Sequence, residues 1–187
     1  MEIDKIIIIT RLTRLEENIK RFNTKEQSKF YIENRGQSFD DYQLEYDNYQ
    51  RAKDAVVKSI PSSVRFQLVD RIFLPNFVFG PKDLVVTLGQ DGLVINVAKY
   101  LTSQNILAVN PDPERFDGVL LPFKENDVSD AISRIEKNQF ETKKITMARV
   151  DLTDGQFLYA CNDFFIGANS HISARYSLQF RKKTERH

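Results

Sequence analysis

The chain is poor in the residues that most often announce a mechanism. It holds one cysteine, Cys161, and two histidines, His171 and His187, in 187 residues. A lone cysteine excludes an intramolecular disulfide framework and fits a reducing compartment. Two histidines and one cysteine are too few for a zinc site of the usual kind. Cys161 has no basic neighbour in sequence to activate it, so it reads as a small buried hydrophobe. No Gly-x-Ser-x-Gly elbow supports a serine nucleophile. Neither a Gly-x-Gly-x-x-Gly fingerprint nor a Walker-type Gly-Lys-Ser/Thr loop occurs. An excess of one charge is missing too: 27 basic against 26 acidic residues give a net charge of +1. That excludes an electrostatic case for duplex nucleic acid and leaves open only a local basic patch. No apolar run is long enough to span a membrane. The start, Met1-Glu2-Ile3-Asp4-Lys5, lacks the basic region and apolar core of a signal peptide. The expectation is a cytoplasmic protein with no membrane and no nucleic acid among its partners.

What is present has the pattern of an α/β protein. Ile6–Thr10 is a β-branched run that predicts a first, buried strand of a parallel sheet. Charged helical spacing follows. It predicts one helix from Leu12 to Arg21 or a little beyond and a longer one from about Ser38 to Ser59, with Asn34-Arg35-Gly36-Gln37 between them. Val64–Val69 and Leu84–Leu88 read as the next strands, Gly92–Ser103 as a helix, Ile106–Val109 as a fourth strand and Asp127–Asn138 as a further helix. After about Lys143 the pattern becomes antiparallel β: Ile145–Leu152, Phe157–Ile166 and Ser173–Phe180, with turn residues at Asp154-Gly155 and Gly167-Ala168-Asn169-Ser170. The alternation of Ala174, Tyr176, Leu178 and Phe180 with polar residues implies a sheet with one face to bury. The reading is an open, Rossmann-like parallel sheet with flanking helices over residues 1–142. The beginning of an antiparallel β-rich domain covers 143–187.

The segment Asp83-Leu84-Val85-Val86-Thr87-Leu88-Gly89-Gln90-Asp91-Gly92 concentrates the chemistry. A strand that stops at a glycine turn and passes straight into a helix brings backbone N–H groups and a helix N-terminus up to a phosphate. The turn also places Asp91 at the carboxyl end of the strand, where open α/β sheets bind ligands. A carboxylate beside a phosphate cradle suggests a base or metal ligand, because it repels a phosphate that it merely adjoins. A positioned base for a weakly nucleophilic hydroxyl is what phosphoryl transfer needs. The structural alternative is that Asp91 caps the following helix and that Gly89 and Gly92 serve only a tight turn. A second oddity is Asn162-Asp163, adjacent polar residues that interrupt the apolar run Tyr159–Ile166. They hydrogen-bond either a ligand or a local turn or bulge, since buried polar groups need partners. The C-terminal cluster of Arg and Lys reads as a solvated strand end or as an anion site.

In order, these pieces resemble the NAD kinase (ATP–NAD kinase) family, within the superfamily that includes diacylglycerol and sphingosine kinases. The family's hallmark is Gly-Gly-Asp-Gly at a strand end; here it is Gly89-Gln90-Asp91-Gly92. A second hallmark, Asn-Glu or Asn-Asp at the start of a β-rich domain, is similar to Asn162-Asp163. Between them, Val109-Asn110-Pro111-Asp112-Pro113-Glu114-Arg115-Phe116-Asp117-Gly118 resembles the loop of the mitochondrial-type and related bacterial branch. The resemblance implies transfer of a phosphoryl group from ATP or polyphosphate, with magnesium on the donor phosphates, to the adenosine-ribose 2′-hydroxyl of NAD. It implies Asp91 as general base, Gly89, Gln90 and Gly92 at the phosphates, and Ile95 lining the nucleotide pocket. Asn162 and Asp163 would lie on the adenine or ribose of NAD, and the chain would form a homo-oligomer. Gln90 departs from the pattern by placing a side chain where backbone approaches phosphate. The family also continues with a Gly/Ser/Thr-rich segment and most of a β-domain. The expectation is therefore a fragment or a truncated gene product, whose half-built pocket loses orienting energy. Two rival readings are a non-catalytic nucleotide-binding or interaction module and a lipid or sugar hydroxyl kinase of the same superfamily.

Overall fold

The computed structural model describes residues 2–165, 167, 175–180 and 183–186. The chain divides into two compact units, Met1–Lys144 and Ile145–His187. In the first, β1 (Lys5–Thr10), β2 (Arg65–Asp70), β3 (Asp83–Leu88), β4 (Ile106–Asn110) and β5 (Phe123–Lys124) form a five-stranded sheet in the order β2-β1-β3-β4-β5. Every pairing is parallel. The unit is an α/β, Rossmann-like fold. Parallel strands need long crossovers, and helices supply them on both faces.

Strand periodicity of two divides the core. Ile6, Ile8, Leu84, Val86, Leu88, Leu107 and Val109 face α3 (Phe39–Lys58) and α5 (Val128–Glu136), burying Tyr49, Ala52, Val56 and Ile132. Ile7, Ile9, Val69 and Val85 face the other way, onto Leu93 and Val97 of α4 (Asp91–Ala98) and Leu74 of a 3₁₀ turn, Arg71–Asn76. Central strands covered on both faces explain the uninterrupted Ile6-Ile7-Ile8-Ile9 run. Edge position explains why β2 differs: only Val69 is buried, and Phe66 and Leu68 stay exposed.

Two expectations about the helices need correction. The charged stretch holds three helices: α1 (Arg14–Phe22), α2 (Lys25–Asn34) and α3. α2 escaped the sequence reading because it buries only Ser28 and Ile32, so its apolar stripe is faint. Its start is nevertheless written in Thr24, whose side chain accepts the Gln27 N–H. Asn23, in the left-handed region at φ 68°, turns the chain between α1 and α2. The helix expected over Gly92–Ser103 ends at Ala98.

In the second unit β6 (Ala148–Asp151) pairs antiparallel with β7 (Phe157–Ala160), turning at Gly155 with φ +87°. β8 (Ser177–Phe180) pairs antiparallel with β9 (Lys183–Arg186). The strand expected over Phe157–Ile166 is shorter, because the chain bends at Cys161 and Asn162. The β8 residues are exposed, so its alternating pattern buries no face within this unit. The expected turn at 168–170, the start of the last strand, His171 and His187 lie outside the described residues.

Candidate functional site

The topology locates a crevice before any side chain is considered. β1 leads across to β2 on one side, and the chain then returns to β3 on the other side of β1. At such a switch point the loops leave in opposite directions and open a ligand crevice at the strands' carboxyl ends. Here those ends are Thr10-Arg11 and Leu88-Gly89. Tyr49 of α3 joins them: its hydroxyl accepts the Arg11 N–H at 3.0 Å and donates to the Leu88 carbonyl at 3.1 Å. Burial pushes the Tyr49 phenol up to about 12, with the Arg11 N–H and guanidinium acting in the opposite direction.

The glycine turn is built differently at its two glycines. The Gly89 N–H is used by the sheet, bonding the Val109 carbonyl at 3.2 Å. A Cβ on Gly89 would meet Leu93 Cδ2 at 2.8 Å and Arg11 Cδ at 3.6 Å. Close packing of α4 on the strand end therefore requires this glycine. Gly92 is the second residue of α4, and a Cβ there would meet nothing within 4 Å. Glycine inside a helix costs about 1 kcal/mol against alanine, and packing within this unit supplies no reason for it. Gln90 is the N-cap residue and makes no side-chain cap bond. The first N–H groups of α4, those of Asp91 and Gly92, therefore point outward without a capping side chain.

The N-cap position is held by Gln90, so Asp91 does not take the capping role that the structural alternative gives it. It is the first helical residue, and its carboxylate reaches across to the loop after β4. Its Oδ1 accepts the Leu120 N–H at 2.8 Å and Oδ2 the Val119 N–H at 3.2 Å. Two consecutive backbone donors fix the plane of the carboxylate, and each oxygen keeps a further lone pair.

The Asn110–Gly118 loop is shaped to present those donors. Asn110 Nδ2 donates to the Phe116 carbonyl at 2.8 Å, and its Oδ1 accepts the Asp112 N–H at 3.0 Å. Gly118 has φ +63°, and a Cβ there would stand 2.8 Å from Asn110 Nδ2. An ionic chain ties the loop to the helices. Asn48 donates to Asp112 at 3.1 Å, and Arg115 pairs with Asp112 at 3.3 Å and Asp41 at 2.7 Å. Asp41 also pairs with Arg14 at 2.8 Å, and Arg14 bonds Glu45, which holds Arg11 at 3.1 Å. Glu45 is buried at 3 % exposure, and a guanidinium on each oxygen compensates its lost hydration. The Arg14 hydrogen bond, with Arg115 adding to it, holds Asp41 below the usual carboxylate range against the opposing effect of burial.

Loop and turn together enclose a cleft of about 530 Å³. Gln90, Asp91 and Gly92 form one wall, with Arg115, Phe116 and Asp117 opposite. Arg115 and Asp117 were not singled out as site residues from sequence. Their only signal was the acidic and basic residues of a loop at the carboxyl edge. Arg11 was missed as well, although it directly follows the first strand. Ile95, one turn along α4, is half-buried. Asn162 and Asp163 belong to the second unit, where both are exposed and follow β7 rather than interrupt it. Among the described residues no cluster of three His, Cys, Asp or Glu side chains forms a cation cage. Comparison with protein families and with curated proteins finds no match to this chain. No helix of the described residues is long and apolar enough to cross a membrane.

Proposed function

We propose that this chain is an NAD-kinase-like phosphotransferase, moving a phosphoryl group from MgATP or magnesium polyphosphate to the adenosine-ribose 2′-hydroxyl of NAD. The observation that carries the reading is the pairing on one wall of the cleft: an oriented carboxylate beside uncapped helix N–H groups. The outward N–H groups of Asp91 and Gly92 suit donor phosphate oxygens, and the open space at Gly92 suits their close approach. The Asp91 carboxylate takes the proton of the attacking 2′-hydroxyl as its oxygen bonds the terminal phosphorus and the donor's bridging P–O bond breaks. The two loop N–H groups keep that carboxylate from turning away, so its remaining lone pairs meet the hydroxyl in a fixed direction.

A second reading follows from those same two hydrogen bonds. An Asp91 whose role is to clamp the 119–120 loop fits a nucleotide-binding or interaction module without catalysis. The decisive assay is NADP formation from NAD, ATP and magnesium, with Asp91→Asn alongside. The kinase reading expects product from the wild type and none from the variant, with both proteins folded by circular dichroism. NAD should also raise the unfolding temperature, because a ligand at one hundred times its Kd adds about 2.7 kcal/mol. Product that survives Asp91→Asn removes Asp91 as base. Protection by NAD with no turnover selects the binding module.

A further inference from the structure

Away from the cleft, the α1–α2 hairpin carries a groove of about 860 Å³ with unusual walls. Phe22 and Tyr31 pack ring to ring at 4.5 Å. The Arg21 guanidinium lies over both rings, 5.2 Å from the centre of Phe22 and 5.6 Å from that of Tyr31. Arg35 lies 5.3 Å from the Tyr31 centre and also donates to its hydroxyl. Arg14, Arg71, Arg115, Arg134 and Arg149 each pair with a carboxylate. Arg21 and Arg35 have no carboxylate partner among the described residues and are ordered instead by stacking. Phe30, on the same groove, is 69 % exposed.

We propose that this groove binds a free nucleoside monophosphate, with the phosphate between Arg21 and Arg35 and the base on Phe30. A stacked guanidinium has already lost rotamer freedom and still presents its N–H edge, so capturing an anion costs less ordering. Two guanidiniums, 5.6 and 5.3 Å from the centre of the same tyrosine ring, offer two forks, which match a phosphate better than a single carboxylate that one fork already saturates. The exposed Phe30 ring offers a face on which a base can stack. Asn23, Gln27 and Asn34 line the groove with amides, and Glu26 adds an acceptor for an exocyclic amino group. The volume falls in the range of small-molecule sites.

The test is calorimetric titration of the full chain with AMP, GMP, CMP and UMP in the absence of magnesium. A Gly92→Asp background places a carboxylate in the open space of the other cleft and confines binding to the groove. At least one nucleotide should bind, with affinity at least tenfold weaker in Arg21→Ala and in Arg35→Ala. Arg21→Lys and Arg35→Lys, which keep charge and lose the planar fork, should also weaken it severalfold, and Phe30→Ser should weaken it without changing the melting temperature. All of these positions are exposed, so the variants should fold. Absence of binding by all four nucleotides at millimolar concentration overturns the proposal, as does affinity unchanged in both arginine-to-alanine variants. A single-stranded hexanucleotide binding tenfold tighter than its monomer also overturns it, in favour of a polymer site.

Discussion

Replacing Tyr49 by phenylalanine isolates the contact that holds the crevice at its width. The ring stays, so no cavity opens in the core shared with Ile6, Ile8 and Leu88. What is lost is the hydroxyl between the Arg11 N–H at 3.0 Å and the Leu88 carbonyl at 3.1 Å. The part-buried Arg11 N–H and the buried Leu88 carbonyl each lose a partner at about 1–3 kcal/mol, so the variant should lose roughly 2–6 kcal/mol at neutral pH. The phenol's ionisation gives an independent check. Its folded pKa is raised to about 12 from 10.0 by burial. A raised folded pKa means stabilisation fully present below pH 10 and lost as pH climbs through 12. A tenfold change in proton affinity corresponds to about 1.4 kcal/mol, so the wild type should surrender about 3 kcal/mol over that window while the variant does not. Urea unfolding of both proteins at pH 7, 10, 11 and 12, compared as a difference, removes the contributions of the other tyrosines. A neutral-pH gap under about 0.5 kcal/mol, or a gap that stays constant from pH 10 to 12, refutes this role for the hydroxyl.

Other substitutions test neighbouring parts of the site. Gly92→Ala should stabilise the chain by about 0.5–1 kcal/mol in urea unfolding, because its Cβ enters open space within a helix. The same change should weaken nucleotide binding at the cleft, separating stability from function. Gly89→Ala should lose about 1–3 kcal/mol by chemical unfolding, since its Cβ meets Leu93 at 2.8 Å. Gly118→Ala adds backbone strain at φ +63° and a 2.8 Å contact of its Cβ with Asn110 Nδ2. It should cost about 1–3 kcal/mol and abolish hydrogen-exchange protection at Val119 and Leu120, which lose Asp91 as acceptor. Asp41 has its folded pKa held below the ordinary aspartate value of 3.8, chiefly by Arg14. Its contribution should persist above pH 4 and fade as pH falls through the lower folded value. With 46 % of its side chain exposed, that contribution is about 1 kcal/mol or less, read as a smaller acid sensitivity in Asp41→Asn.

Local pattern carried much of the architecture. The unbroken Ile6–Ile9 and Leu84–Leu88 runs announced doubly covered strands, because only parallel central strands bury both faces. Ser38 marked the start of α3, and its side chain does accept the Asp41 N–H. The glycine turn at the end of β3 was legible because strand, turn and helix are adjacent in sequence. α2 was not, since its packing rests on few buried residues and long-range contacts with α1 and α3.

The sequence by itself determined an α/β chain with a carboxylate in a glycine turn at a strand's carboxyl end, through short-range periodicity and turn chemistry. Only the tertiary structure decided what that carboxylate touches. Val119 and Leu120 lie nearly thirty residues from Asp91, and their N–H groups reach it because parallel pairing of β3 with β4 sets both loops on one edge. The difference between the two glycines, one packed against Leu93 and one facing open space, has the same origin. Chain neighbours fix which conformations a residue can adopt, whereas sheet register and helix docking fix what stands across from it.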